Sequence, residues 1–388
     1  MQSKKFLIVI VRRGYLEIEM ILPILQILKK DFFIYFFFLT EKSFISLKQQ
    51  KYLFKNYNRV SNFHYVLKKY DLFYYRIIFN LFKFFNIKNN LFLNRLSKSN
   101  QNLKYICSKL NINDQSLVKL IFTEYNNHSS WIKNIFISNN RPRIIFYPSS
   151  FVISYNYQNK ILYNKKIFAD ILLVNSKYEI TYWSNFISRE KIKVLSPLIF
   201  SKKINKKILK NKNKTKKVLF LYNCLMENEK HHFKNEINYI SLLLKKISSL
   251  SNIKIFIKLH PFKRHKYFYE ILKIVNSKKI FLTEENLISL VPKFDLMLCL
   301  HRTAAISYGN LFRVPVIGYD QVNEVNTKSM YVRWGTILKS SNLKELIENI
   351  KSVTLCSKSN LYKVQYKNFS KIYKQNLSTK EVLKEILK

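Results

Sequence analysis

Residues 5–39 read KFLIVIVRRGYLEIEMILPILQILKKDFFIYFFFL, and this stretch decides the fold. The apolar runs Lys5–Val11 and Phe32–Leu39 have the length of buried strands. Between them, from about Leu16 to Leu28, apolar residues recur at helical spacing. A strand, a helix and a second strand in this order predict a βαβ unit with parallel strands.

The alternation of strands and helices continues along the whole chain. Further strands are predicted at Val118–Thr123, Arg143–Tyr147, Asp170–Val174, Val218–Tyr222, Ile253–Leu259, Asp295–Leu300 and Val314–Gly318. Helical spacing separates strands in both halves, for example in the apolar stripe that runs from Phe233 to Ile247. The predicted fold class is therefore α/β, with two Rossmann-like domains.

The chain has 388 residues, which exceeds the length of one ordinary domain. Residues 201–216 are dominated by Lys, Asn, Ile and Thr and show no periodicity. We therefore predict an amino-terminal domain over 1–200, a linker over 201–216 and a carboxyl-terminal domain with terminal helices over 217–388. The carboxyl ends of the strands of both sheets are expected to face a cleft, the usual ligand position in open parallel sheets.

The chain is strongly basic, with 68 Lys and Arg against 23 Asp and Glu and a formal net charge of +45. Such an excess favours a polyanionic partner, either nucleic acid or an anionic membrane surface. The chain is also rich in Phe and Tyr and has only 4 glycines, so a purely compositional origin of the charge stays open. Because the basic residues are spread along the chain without a recognisable nucleic-acid-binding motif, nucleic acid is the less favoured partner.

Membrane insertion is not expected from the sequence. The densest apolar run, Phe32–Leu39, is much shorter than a spanning helix, and the run Phe6–Val11 is too short for a signal peptide. We expect a cytoplasmic protein that attaches peripherally to the inner face of the membrane. The basic, aromatic stretch Tyr65–Lys88 fits a membrane-surface helix and a core helix equally well. No metal site is predicted, because the four cysteines are far apart and form no CxxC pair.

The segment Asp295–Ser307 is predicted as a buried strand that runs into a helix beginning at Thr303. The free amide groups at such a helix start, with the charge of Arg302 beside them, favour a phosphate. Thr303 and Ser307 are spaced to share one face of this helix. The alternative is that Thr303 only caps the helix and Ser307 packs as a small side chain.

The strand Ile253–Leu259 is followed directly by His260 and Pro261. Pro261 restricts His260 to an extended conformation at the carboxyl end of the strand, where ligands of parallel sheets bind. Lys258 stands two residues before His260. Both side chains are therefore predicted to contact phosphate, against the alternative that His260 is structural.

These segments resemble the carboxyl half of GT-B fold glycosyltransferases of capsule and teichoic acid synthesis, a group that includes bacterial sialyltransferases, Kdo transferases and glycerophosphotransferases. The resemblance rests on Lys258–Pro261, Asp295–Ser307 and Val314–Asp320, and Asn175–Pro197 resembles the last unit of a GT-B amino-terminal domain. The resemblance implies that His260, Thr303 and Ser307 contact the phosphate of the donor nucleotide. The full set of predicted donor-binding residues is Lys258, His260, Pro261, His301, Arg302, Thr303 and Ser307.

The resemblance also implies a reaction. It is the metal-independent transfer of a glycosyl group, or of a glycosyl or polyol phosphate, from a nucleotide-activated donor to a saccharide or lipid-linked acceptor in surface polysaccharide or glycoconjugate synthesis. The nucleotide-sugar donor is a substrate, and no cofactor is expected. The amino-terminal domain would bind the acceptor and the carboxyl-terminal domain the donor nucleotide. Two alternatives stay open: a nucleotide-sugar epimerase of the same fold, and a non-enzymatic polyanion- or nucleic-acid-binding protein.

A general base for the transfer must be a carboxylate or an imidazole near the acceptor hydroxyl. Glu17 and Glu19 follow the first predicted strand, and Glu17 and His260 are the predicted catalytic residues. Glu124 and His128, after a later strand, form the alternative pair. The competing interpretation of Glu17 and Glu19 is that they only complement the dipole of their helix.

Overall fold

A computed structural model describes most of the chain. The described residues are 5–12, 14–67, 101–124, 140–148, 167–194, 215–222, 230–259, 266–300, 303, 305–319, 330–355, 360–373 and 379–387. The chain divides into two compact units, which are described separately below. The first unit comprises Met1–Lys202 with Tyr373–Lys388, and the second comprises Lys203–Ile372.

Strands and helices alternate in both units. In the described residues the strands are β1 Phe6–Val11, β2 Phe33–Phe38, β3 Phe63–Val66, β4 Val118–Glu124, β5 Arg143–Tyr147, β6 Ile171–Val174, β7 Ile192–Val194, β8 Lys216–Tyr222, β9 Ile253–Leu259, β10 Ile280–Leu282, β11 Leu296–Leu300, β12 Val316–Tyr319 and β13 Leu338–Lys339. The helices are α1 Tyr15–Leu28, α2 Glu41–Gln49, α3 Lys51–Asn58, α4 Gln101–Lys109, α5 Ile180–Trp183, α6 Lys230–Ser248, α7 Lys266–Val275, α8 Leu287–Leu290, α9 Ile306–Leu311, α10 Met330–Arg333, α11 Leu343–Leu355, α12 Leu361–Ile372 and α13 Thr379–Leu387. Short 3-10 turns lie at Gln115–Leu117, Lys177–Glu179, Arg189–Lys191 and Val291–Lys293.

The first unit is built on a seven-stranded parallel sheet with the order β3-β2-β1-β4-β5-β6-β7. Every residue of β1 is buried, as its continuous apolar sequence requires in a sheet covered on both faces. After β1 the chain continues to β2 on one side, and it returns to the other side of β1 with β4. The neighbouring carboxyl ends of β1 and β4 therefore form the topological switch point, where ligands of such sheets bind.

The second unit is built on a six-stranded parallel sheet with the order β10-β9-β8-β11-β12-β13. Its switch point lies between β8 and β11. Phe220 and Tyr319 stack with ring centroids 4.9 Å apart, and the Tyr319 hydroxyl donates to Leu221 O at 3.1 Å. The prediction of two parallel α/β Rossmann-like domains is confirmed.

A buried glutamine holds α12 against β12. The side-chain oxygen of Gln365 accepts from Val316 N at 2.9 Å, and its Nε2 donates to Val316 O at 2.7 Å. Gln365 is 1% exposed, so water has little access to replace these two bonds. One side-chain amide thus satisfies both backbone groups of a strand residue.

Replacement of Gln365 by Met, of similar length but apolar, should lower the free energy of unfolding by about 2–6 kcal/mol, since two buried backbone groups lose their partners. Chemical denaturation of the purified variant measures this loss. Lys367→Met, at an exposed position on the same helix, is the control and should change little. Equal midpoints for the two variants would contradict the role assigned to Gln365.

Three elements differ from the sequence-based expectation. The apolar residues from Tyr65 onward predicted a helix, but Tyr65 lies in β3, whose hydrogen bonds to β2 prevail over the helical spacing. The rest of the basic, aromatic stretch, from residue 68, lies outside the described residues. The helix expected to begin at Thr303 begins instead at Ile306. No described helix is long and apolar enough to cross a bilayer.

The third difference concerns the carboxyl terminus, which was assigned to the second domain as part of 217–388. Tyr373–Lys388 groups instead with the first unit. Within that unit Arg143 Nη1 donates to Ile386 O at 3.3 Å, and Lys193 Nζ lies 3.5 Å from Glu385 Oε2. These contacts hold α13 beside β5 and β7. Most of the predicted linker, residues 201–214, lies outside the described residues.

Candidate functional site

The turn after β1 places a glutamate at the switch point of the first sheet. Gly14 precedes α1 with φ 79° and ψ −121°, a conformation that glycine adopts much more readily than other residues. The turn brings Glu17, in the first turn of α1, back toward the strand end. Its Oε2 accepts from Arg12 N at 2.8 Å, and its side chain is fully buried.

The first turn of α2 packs tightly against this turn. The Ser43 hydroxyl donates to Arg12 O and lies 2.6 Å from Thr40 Oγ1, while Ser46 Oγ donates to Ser43 O at 2.8 Å. A Cβ atom at Gly14 would overlap Ser46 Oγ and the Ser43 carbonyl oxygen. The absence of a side chain at Gly14 therefore allows α2 to pack against the turn that precedes α1 and Glu17.

Glu17, Glu124 and Tyr147 form a cluster at the carboxyl ends of β1, β4 and β5. The Tyr147 hydroxyl donates to Ile10 O at 3.2 Å and lies 3.4 Å from Glu17 Oε2. Glu124 is the last residue of β4 and lies directly beside Tyr147 in the register of the sheet. Both glutamates are buried, Glu124 at 6% exposure and Glu17 at 0%.

The electrostatics of this cluster keep Tyr147 protonated. Burial raises the pKa of Tyr147 well above its ordinary value, and the carboxylates of Glu17 and Glu124 raise it further. A neutral phenol beside two carboxyl groups is a hydrogen-bond donor. The cluster therefore places two carboxyl groups, which can accept a proton when ionised, beside a hydrogen-bond donor at one switch point.

A third glutamate occupies the same edge of the sheet, after β6. Glu179 Oε2 accepts from Asn175 N at 2.8 Å, and the Ser176 hydroxyl accepts from Tyr178 N at 3.4 Å. Asn175, Ser176 and Glu179 are all fully buried. Like Glu17, Glu179 closes the turn after a strand by accepting a backbone N–H. This edge of a very basic protein is therefore rich in carboxylates.

Glu19 has a different environment. It is 9% exposed, and its carboxylate adds to the effect of burial in raising the pKa of Tyr15. The structure therefore separates two glutamates that are close in sequence, because Glu17 contacts the turn after β1 and Glu19 acts on Tyr15.

In the second unit Lys258 lies near the carboxyl end of β9. Its Nζ donates to Glu284 O at 3.4 Å. Burial lowers the pKa of Lys258, and the carboxylates of Glu284 and Glu285 oppose part of this shift. A partly desolvated ammonium at a strand end is suited to an anionic ligand, and its role as a phosphate contact stays a prediction.

Thr303 and Ser307 have different surroundings. Thr303 Oγ1 accepts from Ala305 N at 3.3 Å, which forms a turn before the helix, and α9 begins after this turn, at Ile306. Ser307 lies within α9 and is fully buried. The other predicted site residues, His260, Pro261, His301, Arg302 and the alternative base His128, lie outside the described residues.

The structure thus brings together Glu17 and Glu124, which the sequence offered as members of alternative pairs, and adds Tyr147 between them. Tyr147 ends a correctly predicted strand, and a polar side chain at a strand's carboxyl end was the available signal. Its proximity to the two glutamates depends on the order of β1, β4 and β5 in the sheet, which cannot be derived from the local sequence. In the described part of the chain, no group of three or more His, Cys, Asp or Glu side chains is arranged to hold a metal ion.

Comparisons with known proteins place the fold. No protein-family model matches the chain, and no curated protein sequence matches it. A solved structure from Listeria monocytogenes, described as a UDP-N-acetylglucosamine 2-epimerase, has a TM-score of 0.62 at 10% identity over 98% of this chain and 95% of that chain. The Neisseria meningitidis UDP-GlcNAc 2-epimerase bound to UDP-GlcNAc has a TM-score of 0.55 at 13% identity over 99% of each chain.

A glycosyltransferase is also similar in structure. The glycosyltransferase VinC in complex with dTDP has a TM-score of 0.54 at 7% identity and covers 98% of each chain. Both kinds of enzyme share the GT-B fold. The chain therefore shares its fold with these proteins.

Proposed function

We propose that this chain is an enzyme that acts on a nucleotide-activated sugar, and that the reaction it catalyses is epimerisation of the sugar. The observation that carries the proposal is the buried cluster of Glu17, Glu124 and Tyr147 at the switch point of the first sheet. The similar structures include epimerases with a bound nucleotide sugar, which supports the same substrate class here.

Epimerisation needs the kind of groups found in this cluster. Removing the proton from the carbon next to the anomeric centre leaves an electron pair, which forms a C=C bond as the nucleoside diphosphate departs. Return of a proton to the opposite face and re-addition of the diphosphate then give the epimer, so a base must lie near this carbon. We assign proton removal to Glu124. Tyr147, whose hydroxyl donates to Ile10 O, remains protonated and orders the carboxyl groups beside it. Glu17, which contacts both Arg12 and Tyr147, holds this arrangement in place. This assignment replaces the sequence-based choice of Glu17 as base.

Transfer of the sugar to an acceptor is the second candidate function. It needs only one base to activate an acceptor hydroxyl, a role that Glu124 also fits. The sequence resemblance to capsule and teichoic acid enzymes and the structural similarity to VinC support this candidate. The acceptor would then be a saccharide or a lipid-linked saccharide of a surface polysaccharide.

The second unit supplies the nucleotide-binding groups in either reaction. The proposed contacts to the diphosphate are Lys258, His260, Pro261, His301, Arg302 and Thr303, and Ser307, which is fully buried, packs within α9. A cationic side chain and a histidine at one strand end would stabilise the negative charge of a leaving nucleotide without a metal ion. Direct dependence of activity on Lys258 and His260 would distinguish this mode of binding from one that uses backbone groups alone.

We expect one family of nucleotide sugars to raise the melting temperature of the purified protein. A ligand present at 100 times its Kd stabilises the native state by about 2.7 kcal/mol. Thermal-shift assays with CMP, UDP, GDP and dTDP and their sugars measure the effect, and His260→Ala should abolish it. A response to heparin or nucleic acid, with none to any nucleotide, would favour the polyanion-binding alternative.

Reaction in D2O then separates the two enzymatic candidates. An epimerase incorporates deuterium at the inverted carbon with no acceptor present, and NMR detects the exchange. A transferase releases the nucleotide only when an acceptor is added. If the protein binds a nucleotide but shows neither deuterium exchange nor acceptor-dependent release, the proposed chemistry is contradicted and the proposed nucleotide site is not.

A further inference from the structure

Helices α1, α2 and α3 form a layer on one face of the first sheet. The three helices contact one another, and their apolar residues point inward, as shown by the buried positions Leu47, Leu53 and Tyr57. Their outer surface consists of exposed residues between positions 27 and 59. We name this surface the basic helical face.

The basic helical face has a large excess of positive charge. Its exposed cations are Lys29, Lys30, Lys42, Lys48, Lys51, Lys55 and Arg59, and its acidic residues are Asp31 and Glu41. Within the described part of the chain, none of the seven cations lies at ion-pair distance from a carboxylate; Lys29 Nζ donates to Arg59 O, and Lys48 Nζ lies 4.6 Å from the centroid of the Phe44 ring. Among the described residues, seven cations and two carboxylates therefore leave this face with a net excess of positive charge.

Two isoleucines are exposed on the same layer. Ile45, on the outer side of α2, is 52% exposed, and Ile27, near the end of α1, is 43% exposed. Branched apolar side chains beside lysines are suited to the boundary between lipid headgroups and acyl chains, where the apolar part is buried and the ammonium groups remain at the phosphates. Nucleic acid would match the charge but would offer these isoleucines no apolar environment.

The basic helical face is also connected to the candidate site. Lys42 adjoins Ser43, whose hydroxyl donates to Arg12 O in the turn that positions Glu17. Helix α2 therefore contributes Lys42 to the basic helical face and Ser43 to the contacts that hold the turn after β1.

We propose that the basic helical face docks onto an anionic lipid bilayer. The positive charges attract acidic headgroups, and Ile45 and Ile27 enter the interfacial region. The proposal concerns a surface of the first unit and does not depend on which sugar reaction the protein performs.

Vesicle flotation of the full chain tests this proposal. The protein should float with vesicles of phosphatidylcholine and phosphatidylglycerol, should not float with phosphatidylcholine alone, and should be released as salt rises. The variant K42Q/K48Q/K51Q/K55Q should bind the anionic vesicles about tenfold more weakly or worse.

The matched control removes the same charge from the second unit. Lys344, Lys351, Lys363 and Lys367 are exposed on α11 and α12, and their replacement by Gln should leave most vesicle binding intact. Equal losses in the two quadruple variants would overturn the assignment, since net charge alone would then explain binding. Failure of the wild-type protein to float would overturn the proposal itself.

Ile45→Asn separates lipid from other polyanions. It should weaken vesicle binding severalfold and leave retention on heparin unchanged, because heparin has no apolar interior. An unchanged affinity for vesicles in Ile45→Asn would identify the face as a general polyanion site, such as one for nucleic acid, and would overturn the lipid assignment.

Discussion

Glu124→Gln should lower turnover of the nucleotide sugar by about 10²–10⁴-fold, the range expected when a general base is removed. The amide has the shape of the carboxyl group but cannot take a proton at neutral pH. Because Glu124 lies at the end of β4 in the first unit, nucleotide affinity, assigned to the second unit, should stay close to that of the wild type. Steady-state kinetics and thermal shift with the same nucleotide sugar measure the two effects.

Glu190→Gln is the matched control for this substitution. Glu190 is an exposed glutamate of the first unit, on the 3-10 turn Arg189–Lys191, and has no part in the cluster. Its replacement should leave turnover unchanged. Turnover in Glu124→Gln above about a tenth of the wild-type rate would exclude Glu124 as the base.

Gly14→Ala should destabilise the protein by roughly 3 kcal/mol, through the strain of a side chain at positive φ and its overlap with α2. The new Cβ would meet the Ser43 carbonyl oxygen, a backbone atom that cannot move without shifting the helix. For a unit of about 200 residues this loss corresponds to a fall in melting temperature of about 6–12 °C. Differential scanning calorimetry measures it.

Gly335→Ala provides the comparison. Gly335 also has positive φ, at 61°, but its new Cβ would lie 2.8 Å from Asn368 Nδ2, the end of a flexible side chain. We expect a loss of about 1 kcal/mol, mainly from the backbone conformation. If both variants lose the same stability, the close packing of α2 on Gly14 has no energetic weight.

The central strands could be predicted from the sequence because burial on both faces leaves an uninterrupted apolar run. β1, β5 and β9 fall where these runs predicted them, with differences of one residue at most. Edge strands lack this signal. β3, at one edge of its sheet, has only half-buried and exposed residues. The sequence-based prediction assigned its residue Tyr65 to the start of a helix.

The candidate site could be predicted only in part. Glu17 and Glu124 were recognised because each follows an apolar strand. Their proximity depends on β1 lying next to β4, and about one hundred residues separate these strands in the chain. Tyr147 joins them only through the pairing of β4 with β5, which no local pattern specifies.

The return of α13 to the first unit affects the order in which the protein assembles during synthesis. The ribosome releases β1 to β7, then the whole second unit, and only then the helix that bonds to Arg143 and Lys193. A nascent first unit therefore lacks the contacts of α13 with Arg143 and Lys193 until synthesis ends, and a fragment ending near residue 202 lacks them permanently. A circular permutant with α13 placed before the amino terminus would allow the first unit to fold with all its elements before the second unit is synthesised.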